Sequence, residues 1–376
     1  MMLPHAPLWL VLVAFVCMLG PLVFFHELGH YLVARWFKVP AEVFSIGFGR
    51  ELIGWTDKRG TRWKIAWLPL GGYVKFVGDM SPASDAADLE HIPEHLRDRI
   101  FQVRPVWQRF LIVLAGPVAN FLLAIIIFAA FFTFVGTPLN NVVIGVKANS
   151  AAAAAGIEKG DRVISIAGLT TSNFDDVTRV VAVRPEETVP IIVERNGSAK
   201  ELRATLGSEE AEDLPGHKMT RGLLGVYFSP QTGDRVPIYR AVPMAVDYSF
   251  RLTRSIVDNL GQLIRGRISP KQLGGPIRIA RYAGVGIEMG PLVFITLFAL
   301  FSINLGFINL LPVPLLDGGH LFFYAVEAVR RRPLSAQALD WAFRGGLALI
   351  LALLVFVTIN DLGSLGLWNQ LQRLIG

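Results

Sequence analysis

Between Phe110 and Val135 the chain runs for 26 residues without a charged side chain. At 1.5 Å per residue a helix of that length crosses a hydrocarbon layer of about 30 Å. In lipid only helices and closed barrels satisfy their own backbone, so this stretch leaves few choices. Three more segments share its character: one from about Ala6 to Phe25 and beyond, one from Pro291 to about Leu311, and one from about Gly345 to Ile359, which Asp361 closes. The pattern predicts a polytopic α-helical membrane protein with four transmembrane helices. A hydrophobic content of 52% and a mean hydropathy of +0.47 over 376 residues exclude an ordinary soluble protein. The net charge of +6 does not indicate a nucleic-acid partner, because no basic cluster is interleaved with aromatics. The single cysteine, Cys17, lies in the first apolar run, which rules out a disulfide framework or a thiolate metal site within one chain.

The first apolar run lacks the basic start of a signal peptide, and cleavage behind it would discard or isolate the histidines at its inner end, so it is expected to be a retained helix. Lysines and arginines set the orientation. Lys38, Arg50, Lys58, Arg59, Arg62, Lys64, Lys75, Arg97 and Arg99 crowd the loop after the first span, and Arg330, Arg331 and Arg332 lie between spans three and four. The positive-inside rule puts both loops in the cytoplasm and both chain ends outside. The long segment between spans two and three is then extracytoplasmic.

At the inner end of the first span stands His26-Glu27-Leu28-Gly29-His30. Histidines four apart project from one helix face and can share a metal ion, while the Glu27 between them is free to act as a base toward water on that metal. The bland alternative is two interfacial histidines with a snorkelling glutamate. Ionisable groups at the end of a membrane helix are costly enough that function is the default reading.

A catalytic zinc normally keeps three protein ligands, so a third is needed. Asp317 is the best remaining candidate, although it could instead cap a helix beginning near Gly318. Depth favours the ligand role. Spans one and three both run inward, and about 18 residues at 1.5 Å each bring His26 near the cytoplasmic face, where Asp317 also falls. His320 could compete, but the site is complete without it and it reads as interfacial.

The first cytoplasmic loop carries strand signals: Phe44, Ile46 and Phe48 alternate, as do Trp63 and Ile65 beyond the turn Asp57-Lys58-Arg59-Gly60. Gly71 to Gly78 comes next, then a polar linker from Asp79 to Asp98 and an amphipathic approach with Trp107 at the interface. After span two, strand-like pieces lie at Val142–Val146, Arg162–Ile166, Val189–Glu194 and Glu201–Leu206, with an Ala151–Ala155 helix stopped by Gly156. This order is similar to a bacterial PDZ domain, an α+β peptide-binding module, and no second copy is found. Gly222 to Val226 reads as one more strand. Arg240 to Ile268 is amphipathic and too charged to span, so it is expected on the membrane surface. The expected organisation is therefore 1–139 (first half of a membrane core), 140–206 (PDZ), 207–289 (a post-PDZ segment with the surface helix) and 290–376 (second half of the core).

These signatures together resemble the site-2 protease family, specifically the RseP-type bacterial intramembrane zinc metalloproteases. The resemblance rests on His26–His30, Phe44-Ser45-Ile46-Gly47-Phe48-Gly49, Gly72-Tyr73-Val74-Lys75, Gly116-Pro117-Val118-Ala119-Asn120, Ser269 through Pro276, and Asn309 through Gly319. They cover nearly the whole chain in family order, with one PDZ pattern where some relatives carry two. The resemblance implies Zn2+ held by His26, His30 and Asp317, and Glu27 as general base. It implies that Gly72, Tyr73, Val74, Lys75 and Phe76 belong to a membrane-reentrant β-hairpin beside the substrate. Asn304, Asn309 and Pro312 would help hold an unwound substrate segment. Expected partners are the lipid bilayer, single-span membrane substrates trimmed outside beforehand (anti-sigma factors, remnant signal peptides), and a peptide or substrate terminus at the PDZ domain. The expected location is the bacterial inner membrane, with the PDZ domain outside and the active site near the cytoplasmic face.

Two other functions fit parts of the pattern. A non-catalytic PDZ-bearing adaptor has no need of Glu27. A zinc transporter requires polar positions along several spans, and spans two and four offer almost none.

Overall fold

A computed structural model of the chain describes residues 7–77, 99–137, 141–212, 218–228, 234–266, 270 and 273–364. The expected linker 79–98, Asn140, Ile268, Ser269, Lys271 and Gln272 lie outside the described residues. In chain order the elements are α1 (Leu8–Trp36), β1 (Ala41–Thr56), β2 (Arg62–Phe76), α2 (Val106–Phe134), β3 (Val143–Val146), α3 (Ala151–Ala155), β4 (Arg162–Ile166) and β5 (Leu169–Thr170). Next come α4 (Phe174–Ala182), β6 (Thr188–Arg195), β7 (Ser198–Thr205), β8 (Gly207–Glu212), β9 (Lys218–Leu223), β10 (Val226–Phe228), α5 (Ile238–Ile264), α6 (Pro276–Glu288), α7 (Pro291–Asn309), α8 (Asp317–Arg330) and α9 (Ala336–Ser364). Among the described residues four helices are long and apolar enough to cross a membrane: α1, α2, α7 and the Ala336–Gly363 stretch of α9. The last starts earlier than its hydropathy suggests. Its first turns carry Asp340 and Arg344, an i,i+4 pair 2.9 Å apart, which hides the helix from an apolar scan.

The chain divides into two compact units, one of residues 5–124 with 275–376 and one of residues 125–274, and the division passes within α2. In the first, α1 packs its Ala14, Met18 and Leu22 against Ala283 of α6, a short helix the sequence pattern did not anticipate. Asp361 of α9 is buried and accepts the N–H groups of Gly275 and Arg278 at 3.0 Å each, which satisfies the open N-terminus of α6. The polar turn after β1 forms at the expected residues. The Asp57 carboxylate accepts the N–H of Arg59 at 2.8 Å and of Thr61 at 3.0 Å.

The β1–β2 sheet is more folded than a simple hairpin. Val43–Ile46 is flanked on both sides, by Arg62–Ile65 and by Gly72–Lys75, while Ile53–Thr56 returns against Arg62–Ile65. The stretch Gly72–Phe76 is thereby left as an edge. Behind it a core of Tyr31, Ala34, Phe44, Phe76, Phe101 and Ile112 ties the sheet to α1 and α2.

In the second unit β5-β4-β6-β7 form a four-stranded sheet, with α3 and α4 covering a core of Val163, Ile166, Val177, Val180, Ile191 and Val193. Ser150 caps α3 by accepting the Ala153 N–H at 3.2 Å, and Gly156 ends it in the left-handed region, as the sequence pattern anticipates. β10 pairs with β3, and Leu224 enters the same core, so residues 224–228 fold with 143–206. Helix α5 is fastened by charge to α4 and to the turn that follows it. Buried Arg184 pairs with Asp258, and Arg251 reaches Asp176 at 3.1 Å.

Candidate metal centre

The site is built from two turns of helix and one loop. In α1 the i,i+4 spacing sets the rings of His26 and His30 side by side, with their Nε2 atoms 3.3 Å apart. Asp317 arrives from the first turn of α8, and its Oδ2 lies 3.1 Å from Nε2 of His26 and 3.5 Å from Nε2 of His30. The chain delivers it by stopping α7 at Asn309 and winding Leu310–Leu316 through tight turns, where Pro312 and Pro314 prevent a continuing helix. Gly318 and Gly319 are required at the restart. A Cβ on Gly319 would stand 2.5 Å from the Val313 carbonyl oxygen, and one on Gly318 would run into the carbonyls of Leu310 and Leu311. The Asp317 carboxylate thus turns toward the histidines, and its helix start receives no side-chain cap.

Whether these groups fit a zinc ion can be tested on spacing. Two donors about 2.0–2.1 Å from a tetrahedral ion stand roughly 3.3–3.4 Å apart, close to the three separations observed. Among the described residues His26, His30 and Asp317 are the group able to hold a metal. Asp317 Oδ2 is buried against the two histidine Nε2 atoms, and with both of these unprotonated, as ligands must be, it would lack a donor, an arrangement that a shared cation would relieve. The second nitrogens are also engaged: His30 Nδ1 lies 2.9 Å from the Ile112 carbonyl, and His26 Nδ1 lies 3.1 Å from the Asn120 amide. The donor set fits zinc.

Glu27 is 9% exposed and faces the same cavity. It also takes the backbone N–H of Val74 from the β2 edge. Gly72 permits this approach, since a Cβ there would meet Ser45 O and Val23 Cγ1 at 2.6 Å and Glu27 Cγ at 3.2 Å. The cavity has a volume of about 1200 Å³. Gly72, Tyr73, Val74, Phe76 and Asn309 line it together with His26, Glu27, His30 and Asp317. Asn309 Nδ2 lies 3.5 Å from His26 Nε2, at the ligand cluster itself.

Lys75, Asn304 and Pro312 lie outside that lining. Lys75 pairs with Glu42 at 2.7 Å, and Asn304 donates to the Leu300 carbonyl of its own helix at 3.0 Å. His320 lines the cavity without joining the metal-holding group, its ring 5.3 Å from that of Phe343. Sequence reasoning assigned no separate role to Asn120. Its signal was a polar side chain inside the uncharged run 110–135, completely buried in the structure.

A helical membrane scaffold with a His-Glu-x-x-His turn and a distant aspartate defines the class of metal-dependent hydrolases. The chain belongs to peptidase family M50, whose family model matches residues 14–353. It is similar to the "Putative zinc metalloprotease Atu1380" of Agrobacterium fabrum, 44% identical over 361 residues, covering 94% of this chain and 96% of the relative. The "Putative zinc metalloprotease R01501" of Rhizobium meliloti is 46% identical over 358 residues, covering 93% of this chain and 96% of the relative. Metalloprotease MmpA of Caulobacter vibrioides is 38% identical over 379 residues, covering 94% and 95%. The protein is a zinc metalloprotease of the site-2 type and an integral membrane protein.

Proposed function

We propose that the protein cleaves single-span membrane proteins within the bilayer, with His26, His30 and Asp317 as the zinc ligands and Glu27 as the general base. The observation that carries this reading is the triangle of donor atoms, 3.1 to 3.5 Å apart, inside a cavity that Glu27 also faces. When bound there, zinc supplies Lewis acidity and lowers the pKa of water toward about 7. Glu27 takes a proton from the water that attacks the scissile carbonyl carbon. As the C–N bond breaks, Glu27 returns that proton to the departing amine.

A substrate helix hides its peptide bonds in i to i−4 hydrogen bonds and must unwind before it can react. Gly72–Phe76 offers an edge on which the unwound segment can pair as an added strand. Asn309, which lines the cavity with its Nδ2 3.5 Å from His26 Nε2, would help hold that segment near the ligands. Loop charges favour an active site near the cytoplasmic face of a bacterial inner membrane, with both termini outside. Residues 140–206, extended by β10, then form an external PDZ-type domain that meets a peptide or substrate terminus. Fitting substrates are anti-sigma-factor-like proteins and remnant signal peptides already trimmed outside.

The test is zinc content and turnover of purified variants. One zinc per chain is expected, lost in His26→Ala and Asp317→Ala. Glu27→Gln should keep the metal and lose at least 10²–10⁴-fold in turnover. Full zinc retention by Asp317→Ala would refute the third ligand. Membrane proteins accumulating in Glu27→Gln cells would identify the substrates.

A further inference from the structure

Both histidines turn Nε2 toward Asp317, so as neutral ligands each must carry its proton on Nδ1, and each Nδ1–H then needs an acceptor. For His30 the acceptor is the Ile112 carbonyl at 2.9 Å. For His26 the group at hand is the Asn120 side chain, 3.1 Å from Nδ1. The amide sets its Nδ2 against the ring, which would oppose two donors once Nδ1 carries the proton, while its Oδ1 is buried with no partner. The oxygen and nitrogen of an asparagine amide have nearly the same shape, so the ring's need decides the orientation. With Oδ1 toward His26, the idle acceptor meets the proton that must be held.

The surroundings keep Asn120 in place. It is 0% exposed, and its carbonyl accepts the Ser302 hydroxyl of α7 at 2.8 Å. Gly306 lets α7 come close, since a Cβ there would touch Asn120 Cβ at 3.3 Å. One turn before Asn120, Gly116 faces the ring of His30. A four-residue step on α2 thus matches the four-residue step on α1, with Asn120 opposite His26 and Gly116 opposite His30.

We propose that Asn120 is a positioning residue of the metal centre: it accepts a hydrogen bond from Nδ1–H of His26 and holds that ring in the tautomer that ligates through Nε2. The inference rests on His26 being a zinc ligand. It also gives the one polar side chain within residues 110–132 of α2 a function it would not need for packing.

The experiment measures zinc retained by full-length protein in detergent against graded chelator, for wild type, Asn120→Leu, Asn120→Asp and His26→Ala. Asn120→Leu keeps the approximate volume and loses the acceptor, and should hold zinc about 10–100-fold more weakly. Asn120→Asp keeps an acceptor of greater strength and should hold zinc at least as tightly as wild type. Wild-type affinity in Asn120→Leu overturns the proposal, and so does an Asn120→Asp protein as weak as Asn120→Leu. If Asn120→Leu fails to fold, Asn120→Asp decides alone: weaker binding than wild type overturns the proposal, and equal or tighter binding supports it. Zinc kept in full by His26→Ala would instead strike the ligand reading on which the inference stands.

Discussion

Replacing Gly116 by alanine separates the needs of a helix from those of the site it supports. A methyl group there would stand 2.9 Å from Cδ2 of His30 and closer still to its Cε1 and Nε2, where ordinary contact needs 3.4–4 Å. Relief requires the imidazole to move by about 1 Å, a displacement that can cost 10²-fold when it misplaces a reacting group. Movement also draws Nδ1 away from the Ile112 carbonyl, now at 2.9 Å. The loss of that support adds to the 10–100-fold range typical for outer contacts of a metal ligand. The helix itself is expected to gain, because alanine is favoured over glycine by about 0.8–1.0 kcal/mol in a helix interior. Gly116→Ala should therefore keep or raise its helical content and thermal stability while zinc affinity falls about 100-fold. Chelator competition and circular dichroism on one preparation read the two effects. Wild-type zinc affinity in a folded Gly116→Ala protein would refute the packing argument, and a joint loss of helix and metal would show that the clash is taken up by the backbone.

If the β2 edge pairs with substrate, Val74→Pro should cut cleavage strongly while Val74→Ala does little, and equal effects would mean that the side chain matters instead. In the 125–274 unit, Asp161 is fully buried and accepts from Arg195 at 2.7 and 2.8 Å and from the Glu158 N–H at 2.9 Å. Burial alone would raise its pKa, but these hydrogen bonds and the Arg195 charge hold it below the usual carboxylate value. Its contribution is present above the unfolded pKa of about 3.9 and is lost as pH falls through the lower folded value. Asp161→Asn should accordingly weaken hydrogen-exchange protection of β4 and β6 at neutral pH and flatten its loss in acid; an unchanged acid profile would remove Asp161 as the cause. If the proposed external domain excludes untrimmed substrates, its removal should permit cleavage of a substrate bearing a folded external domain, and continued rejection by a deletion form that still cuts the short substrate would rule this out. The deletion should span 141–228, because β10 and Leu224 would lose β3 and their core if only 140–206 were removed.

What could be read from the sequence was whatever is encoded locally. The His26–His30 turn, the Asp57–Gly60 turn, and the α3 helix with its Gly156 stop each arise from spacing or a single residue's conformational preference. Asp317 was reachable by counting helix depth, although its approach to the histidines depends on the Leu310–Leu316 turns and on Gly318 and Gly319 fitting beneath them. α4 was missed despite a local signal: Asn173 accepts the Asp176 N–H at 2.9 Å, and Val177, Val180 and Val181 turn inward. Its nine residues fall among strands, where a single turn pattern is weak. α6 was missed because its Arg278 is paired with Asp361, 83 residues away, and such a pair has no trace in a local window. Asn120 failed for the same reason, its partner lying 94 residues earlier.

The β2 edge joins the proposed chemistry to the proposed binding, and its backbone parity says how. The Val77 N–H donates to the Pro40 carbonyl at 2.9 Å, so residue 77 turns its backbone toward β1. Alternation along a strand then turns 74 and 76 outward, and Val74 N–H does reach Glu27 on that side. One donor of the edge is therefore committed to the base, which leaves an incoming segment the remaining outward groups. Val74→Pro removes a support of Glu27, and its ring also crowds the edge on which a segment would pair, so loss of cleavage alone would not separate the two. Kinetics would. Loss of strand pairing raises KM, whereas a misplaced base lowers kcat with KM unchanged. The shared use of Val74 predicts both changes in Val74→Pro, with zinc content unaffected. A change in KM alone would mean that Glu27 does not depend on the edge for its position.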